Sequence, residues 1–247
     1  MHWWPSKYPQ TCNEETEMID IVNDPIGAPL RPETIVHPDV VFVLDESGSM
    51  QPHQSAVVST FNEYVADVKE TAKSISLYTF DSTGIREKLF KESPARVKRL
   101  SERDYVPNAM TPLYDAIGAV ISKFQFNSRP VQMIIHTDGQ ENASTEYTKA
   151  KLDELIAHQQ AQHRWLFTYL MEGLEGKAAL EGFSGLKMSF SPGMRGQTMK
   201  TVANATAMYA STMDANPRAY TLTGSDEIDV DEGEGLKSAD APQGGTT

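Results

Sequence analysis

Apolar residues form two alternating patterns along the middle of this chain. Short continuous apolar runs, of which Val40–Leu44 is the clearest, are typical of strands that are covered on both faces. Between these runs, apolar residues recur every three or four positions, as on the buried side of an amphipathic helix. The runs predict strands at 40–44, 74–80, 131–135, 165–171 and 186–190, with 85–90 pairing beside the second. The helical stripes lie at 57–72, 113–124, 152–159 and 199–213.

This alternation predicts both the fold class and the limits of the domain. Strand and helix in turn indicate an α/β fold, with a doubly wound, mostly parallel sheet flanked by helices on both faces. We expect one such domain at residues 38–215. Residues 1–37 are predicted to form a proline-rich arm, because closely spaced prolines interrupt every possible helix there. Residues 216–247 are acidic and rich in glycine, which predicts a disordered tail.

The formal net charge of −12 is concentrated at the two ends of the chain. Residues 1–39 and residues 216–247 each carry seven acidic and two basic side chains, which leaves −2 for the residues between them. No basic patch stands out in the sequence, so nucleic acid is not an expected partner. The apolar runs are too short to cross a bilayer, and the N-terminus lacks the pattern of a signal peptide. With only one cysteine, Cys12, these features predict no membrane association and a cytoplasmic location.

Residues with oxygen donors follow the predicted strands at one edge of the sheet. Asp45, Ser47 and Ser49 come directly after the first strand, Asp138 follows the strand at 131–135, and Thr111 precedes a helix. Ligands of open α/β sheets bind in the crevice outside the carboxyl ends of the strands. Carboxylate and hydroxyl oxygens suit a hard divalent cation such as Mg²⁺. With three neutral hydroxyls and only two acids around it, such an ion would retain affinity for a carboxylate of another molecule.

Each of these three loops also has a purely local explanation. Ser47 and Ser49 can form a turn and cap the following helix. Thr111 in front of a proline is a suitable helix N-cap. Asp138 followed by glycine is a common turn dipeptide. The coincidence of all three at one predicted edge favours a shared cation site over three independent turns.

The segment Asp45–Ser49 matches the D-x-S-x-S element of the von Willebrand factor type A (VWA) domains, which are also found as integrin I domains. In that family this element opens a metal-ion-dependent adhesion site, which a threonine and an aspartate from two further loops complete. The resemblance covers residues 38–215 and is carried by the same three loops, although residues 173–195 depart from the family pattern. It implies that Ser47, Ser49 and Thr111 contact Mg²⁺ or Mn²⁺, with Asp45 and Asp138 binding directly or through water. The sequence around the motifs resembles that of the stand-alone intracellular VWA proteins of bacteria and phages.

The resemblance implies a protein-binding module that captures an acidic group of a partner, and some relatives act as adaptors beside AAA+ ATPases. A structural or assembly protein, for example of a phage, is an alternative that the arm and tail permit. A metal-dependent hydrolase is a weaker alternative. The sequence contains neither a G-x-S-x-G elbow nor a P-loop, and no G-x-G-x-x-G follows the first strand. We therefore expect a binding protein and not an enzyme.

Overall fold

The computed structural model describes residues 36–172, 182–190, 195–215 and 227–229. Most of the predicted arm and the glycine-rich stretch 173–181 lie outside these residues. The strands are β1 Asp39–Asp45, β2 Ser74–Asp81, β3 Gly84–Glu92, β4 Val131–His136, β5 Trp165–Glu172, β6 Leu186–Phe190 and β7 Glu227–Asp229. The helices are α1 Gln54–Asp67, α2 Leu113–Phe124, α3 Lys149–His163 and α4 Arg195–Ala215, with short 3-10 helices at Gly48–His53 and Pro94–Arg96.

The described strands form one sheet in the order β3-β2-β1-β4-β5-β6-β7. Every neighbouring pair is parallel except β2 and β3, which form an antiparallel hairpin at one edge. The exposed side chains of β3 include several charged residues, which protect an edge strand from pairing with other chains. The doubly wound, mostly parallel α/β fold is therefore confirmed.

Two apolar cores cover the two faces of the sheet, and β1 contributes to both. Val40 and Phe42 pack with residues of α1 and α4 on one face. Val41 and Val43 pack with residues of α2 and α3 on the other. Successive side chains of a strand point to opposite faces, so a strand buried on both sides must be apolar at every position. This is the physical reason for the continuous apolar run at 40–44.

Two boundaries differ from the sequence predictions. α1 ends at Asp67, before the end of the predicted stripe, although Val68 and Ala72 are still buried in the core below it. β7 lies inside the segment predicted to be a disordered tail, so that prediction is wrong for residues 227–229, which pair with β6. A three-residue strand gives too weak a local signal to be recognised, because it forms only through pairing with a distant strand. None of the described helices combines the length and apolarity that crossing a membrane requires.

The centre of the sheet creates a crevice between β1 and β4. The strand order reverses there, with α1 following β1 on one face and α3 following β4 on the other. Leu44 pairs with His136, so the next residues, Asp45 and Thr137, emerge side by side at the carboxyl edge. Diverging connections leave an open space at such a point, where α/β proteins bind their ligands.

Candidate metal site

Asp45 lies at the bottom of this crevice and is fully buried. Its Oδ1 accepts a hydrogen bond from the Ser47 amide at 2.9 Å, and its Oδ2 accepts one from the Thr137 hydroxyl at 2.7 Å. Burial raises the pKa of Asp45 to about 6, and the negative charge of Asp138 adds to the rise, while the hydrogen bonds from Ser47 and Thr137 oppose it. A buried carboxylate of this kind is stabilised in its charged form when a cation lies beside it.

The hydroxyls of Ser47 and Ser49 lie next to each other, with their Oγ atoms 3.2 Å apart. Ser47 occupies the N-cap position of the 3-10 helix Gly48–His53, but its side chain makes no capping hydrogen bond. The local explanation of Ser47 as a side-chain cap is therefore wrong. The Ser47 hydroxyl instead meets that of Ser49, a residue of this 3-10 helix, at the edge of the crevice.

Thr111 is buried at the same edge, one residue before the N-cap of α2, which is Pro112. The explanation of Thr111 as that N-cap is also wrong. Its amide donates to Asn142 Oδ1 at 2.8 Å, and the Asn142 amide donates to the Thr111 carbonyl at 3.1 Å. This reciprocal pair ties Thr111 to the loop that contains Asp138.

The same loop supplies the caps that α2 does not receive from Thr111. Glu141 Oε2 accepts from the Tyr114 amide at 3.0 Å, and the Ser144 hydroxyl accepts from the Asp115 amide at 3.1 Å. These amides belong to the first turn of the helix, where backbone donors have no partner within the helix. Since a distant loop satisfies them, the hydroxyl of Thr111 is not required at the helix start.

Asp138 follows β4 and is partly exposed. Its Oδ1 accepts from the Gln140 amide at 3.0 Å and its Oδ2 accepts from the Gln140 side chain at 3.2 Å. Gly139 has a φ of 83°, a left-handed conformation that favours glycine. Asp138 thus has a local partner in Gln140, and its negative charge also raises the pKa of Asp45.

Glu46 connects the loop after β1 to the loop that carries Thr111 and, through an ion pair, to β3. Glu46 is buried, and its Oε1 accepts from the Val106 amide at 2.7 Å while its Oε2 accepts from Arg86 at 2.7 Å. The Asn108 amide donates to the Glu46 carbonyl at 2.7 Å. Arg86 comes from β3 and also contacts Asp81 at 3.0 Å. Glu46 thus fixes residues 106–108 beside the strand end that holds Asp45.

Two further contacts hold these loops together. The Tyr105 hydroxyl donates to the Asp45 carbonyl, and the Gly48 amide donates to the Ala109 carbonyl at 3.0 Å. Sequence analysis missed Glu46, Arg86, Thr137 and Asn142 as supports of the site. Their only sequence signal is that Glu46 and Thr137 directly neighbour predicted ligands.

The described residues contain no group of three or more histidine, cysteine, aspartate or glutamate side chains placed to hold a metal. A cation at this edge would therefore need hydroxyl ligands in addition to Asp45 and Asp138. The structure brings the hydroxyls of Ser47 and Ser49 together and connects Thr111 to the loop of Asp138. As ligands of an ion, the five residues remain a prediction.

No protein-family model and no curated protein matches this sequence. Solved structures do match, among them the vWF domain of the type V pili tip protein Mfa5 from Porphyromonas gingivalis. The TM-score is 0.56 at 10% identity, over 71% of this chain and 96% of that domain. This chain has a VWA-like fold.

Two other VWA-like neighbours hold metal ions. Manganese-loaded TRAP protein from Plasmodium vivax matches with a TM-score of 0.50 at 13% identity, over 70% of this chain and 74% of that one. Proximal thread matrix protein 1 from the mussel byssus, with a zinc-occupied MIDAS motif, matches with a TM-score of 0.52 at 15% identity, over 72% and 49%. The named neighbours thus include a pilus tip protein and a matrix protein of the mussel byssus. At these identities the likeness shows the VWA-like fold alone.

Proposed function

We propose that this chain is a divalent-cation-dependent protein-binding module of the adhesion or adaptor type. It captures an acidic group of a protein partner through an ion at the carboxyl edge of the sheet. The ion would be held by Asp45, Ser47, Ser49, Thr111 and Asp138. The observation that carries this proposal is the pair of hydroxyls at 3.2 Å beside a fully buried aspartate, neither of them engaged in capping.

The chemistry of the donors fits Mg²⁺ or Mn²⁺, which prefer oxygen ligands. When bound, the ion supplies a positive centre that accepts a carboxylate as a further ligand. The residues of this chain hold the ligands in place: Thr137 orients Asp45, Asn142 anchors Thr111, and Glu46 fixes the loop between them. Neighbouring structures with manganese and with a zinc-occupied MIDAS motif support a cation in this fold.

The partner class follows from the same chemistry. A protein that presents an aspartate or glutamate side chain at its surface can complete the coordination of the ion. An AAA+ ATPase as the partner, the intracellular bacterial or phage type and a cytoplasmic location remain predictions. A scaffold role predicts no gain of carboxylate binding with the ion, which the acetate measurement below tests, whereas a hydrolase predicts turnover.

Calorimetric titration of the chelator-treated full chain with Mg²⁺ and Mn²⁺ tests the site. We expect Asp45→Ala and Ser47→Ala to raise the Kd for the ion by about 10-fold or more. Residues that only support the ligands of a metal already have effects of about 10- to 100-fold. Ser59→Ala is the matched control, because the Ser59 hydroxyl donates only to a carbonyl within α1. Equal affinity in all variants would overturn the assignment of the site.

A second measurement tests the capture of a carboxylate. Bound Mn²⁺ accelerates the relaxation of water protons, and the acceleration should fall when acetate replaces a water on the ion. Acetate should have no such effect on the Ser47→Ala variant. Cation binding without any response to acetate would retain the metal site and reject the binding function.

A further inference from the structure

A cleft at the opposite end of the sheet from Asp45 collects positive charge. It has a volume of ≈ 440 Å³ and lies at the amino-terminal ends of β1 and β2, beside the end of β3 and the loop before β4. Four cationic side chains from separate segments line it: Lys73, Lys91, Arg96 and Arg129. They are far apart in the sequence, which is why no basic patch is visible there.

The acidic residues of the cleft do not neutralise this charge. Asp39 is buried and accepts hydrogen bonds from the Ser74 hydroxyl at 2.6 Å and from the Asn127 amide group at 3.0 Å. Glu92 accepts from the Ser93 amide at 3.0 Å. Four cations against two acids leave the lining at +2, in a chain whose formal net charge is −12.

Three of the four cations are available to a ligand. Among the described residues, the side chains of Lys73, Arg96 and Arg129 form no ion pair, and all three are exposed. The fourth, Lys91, donates to Asn127 Oδ1 at 2.8 Å. Unpaired cations around a cleft attract an anionic partner over roughly 10 Å at moderate salt.

The backbone at the rim of the cleft is held in an unfavourable conformation. Lys91 has a φ of 48°, and its amide donates to the Ser76 hydroxyl at 2.9 Å. A non-glycine residue rarely adopts this left-handed conformation, which persists only where its surroundings hold it. Here that conformation accompanies the contact between Lys91 and Asn127 in the lining of the cleft.

We propose that this cleft binds the acidic segment that follows β7, residues 230–234, of a second copy of the chain. Three of its five residues are acidic, and it ends the stretch 226–234, whose six acidic side chains in nine residues are the densest negative charge of the sequence. An open cleft with cations spread along it suits an extended acidic peptide. The occupant comes from a second copy because β7 pairs with β6 at the far edge of the sheet, four strand spacings from β1. That distance is about 19 Å, at roughly 4.8 Å per strand.

Each copy then carries one cleft and one acidic segment, so association proceeds head to tail and depends on salt. Sedimentation velocity of the full chain in the presence of chelator tests this, independently of the proposed cation site. We expect concentration-dependent association at low salt and monomers at about 1 M salt, where screening limits electrostatic interactions to about 3 Å.

Two variants separate the cleft from the acidic segment. The triple substitution Lys73→Glu, Arg96→Glu and Arg129→Glu reverses the charge of three residues that line the cleft. The triple substitution Asp231→Asn, Glu232→Gln and Glu234→Gln neutralises the segment outside β7. Each variant alone should be monomeric, whereas their mixture should form a one-to-one complex, because one intact cleft then meets one intact segment.

A control variant carries the same change in net charge elsewhere, with Lys88, Lys151 and Lys200 replaced by glutamate. It should associate like the wild type. The proposal would be overturned if the wild type stayed monomeric at low salt or if the cleft variant associated unchanged. It would also be overturned if the mixture stayed monomeric or if the control lost association to the same extent as the cleft variant.

Discussion

The burial of Asp45 makes a specific prediction about stability in the absence of metal. The side chain is fully buried, and its pKa rises from 3.8 to about 6 in the folded chain. The folded state therefore binds the proton more tightly than the unfolded state. Below pH 4 the Asp45 carboxyl is neutral in the folded chain and destabilises the fold little. Between about pH 4 and pH 6 the unfolded chain has released this proton while the folded chain still holds it, so the free energy of unfolding falls over that range and levels off above it.

The magnitude follows from the change in pKa. A tenfold change in an ionisation constant corresponds to about 1.4 kcal/mol, so the rise costs ~3 kcal/mol at pH 8. Asp45→Asn removes the charge and retains the shape and the acceptor for the Ser47 amide. The new amide group can donate to the Thr137 hydroxyl, but that hydroxyl loses the carboxylate to which it donates, at a cost of about 1 kcal/mol. Metal-free Asp45→Asn should thus be more stable than the wild type by ~2 kcal/mol at pH 8 and slightly less stable at pH 4.

Adding Mg²⁺ should make the wild type more stable than Asp45→Asn at pH 8. An ion at 100 times its Kd stabilises the wild type by about 2.7 kcal/mol, whereas the variant has lost a charged ligand and gains little. Urea unfolding with chelator and with Mg²⁺, at pH 8 and pH 4, measures all four combinations. Asp104→Asn, at an exposed carboxylate that accepts from Ser101, is the control and should match the wild type in its response to Mg²⁺. The prediction would be refuted if Asp45→Asn were less stable than the wild type in chelator at pH 8. It would also be refuted if Mg²⁺ raised the free energy of unfolding of the variant as much as that of the wild type.

Three further predictions concern the surroundings of the site and the core. Arg86→Gln leaves the buried carboxylate of Glu46 without its ion pair, which should lower the free energy of unfolding by about 1–3 kcal/mol and weaken Mg²⁺ binding, as measured by urea unfolding and calorimetry. Asn142→Ala removes the acceptor of the Thr111 amide and should raise the Kd for Mg²⁺ about 10-fold or more, with an unchanged Kd contradicting the role of this contact. Ile117→Ala creates a cavity in the core between α2 and the sheet and should cost about 2–5 kcal/mol in thermal or urea unfolding without changing the Kd for Mg²⁺.

The sequence alone determined the elements around the crevice. A strand covered on both faces leaves a continuous apolar signal, and Val40–Leu44 therefore predicted β1 and the position of Asp45 at its end. Helices that pack on the sheet leave a stripe at helical spacing, as in α2, which structure and prediction place at the same residues. These signals are local, since they depend only on which face of an element is buried.

Only the tertiary structure decided which distant residues support the site. Glu141 and Asn142 contact the start of α2 from a loop that lies about 30 positions further along the chain, and this frees the neighbouring hydroxyl of Thr111. The ion pair of Glu46 with Arg86 likewise depends on the antiparallel pairing of β3. The grouping of the four cations around the cleft and the pairing of β7 with β6 also depend on the tertiary structure. Such contacts leave no periodic trace, because they depend on strand order and on which loops meet at each edge of the sheet, and neither property is encoded by the spacing of residues within one element.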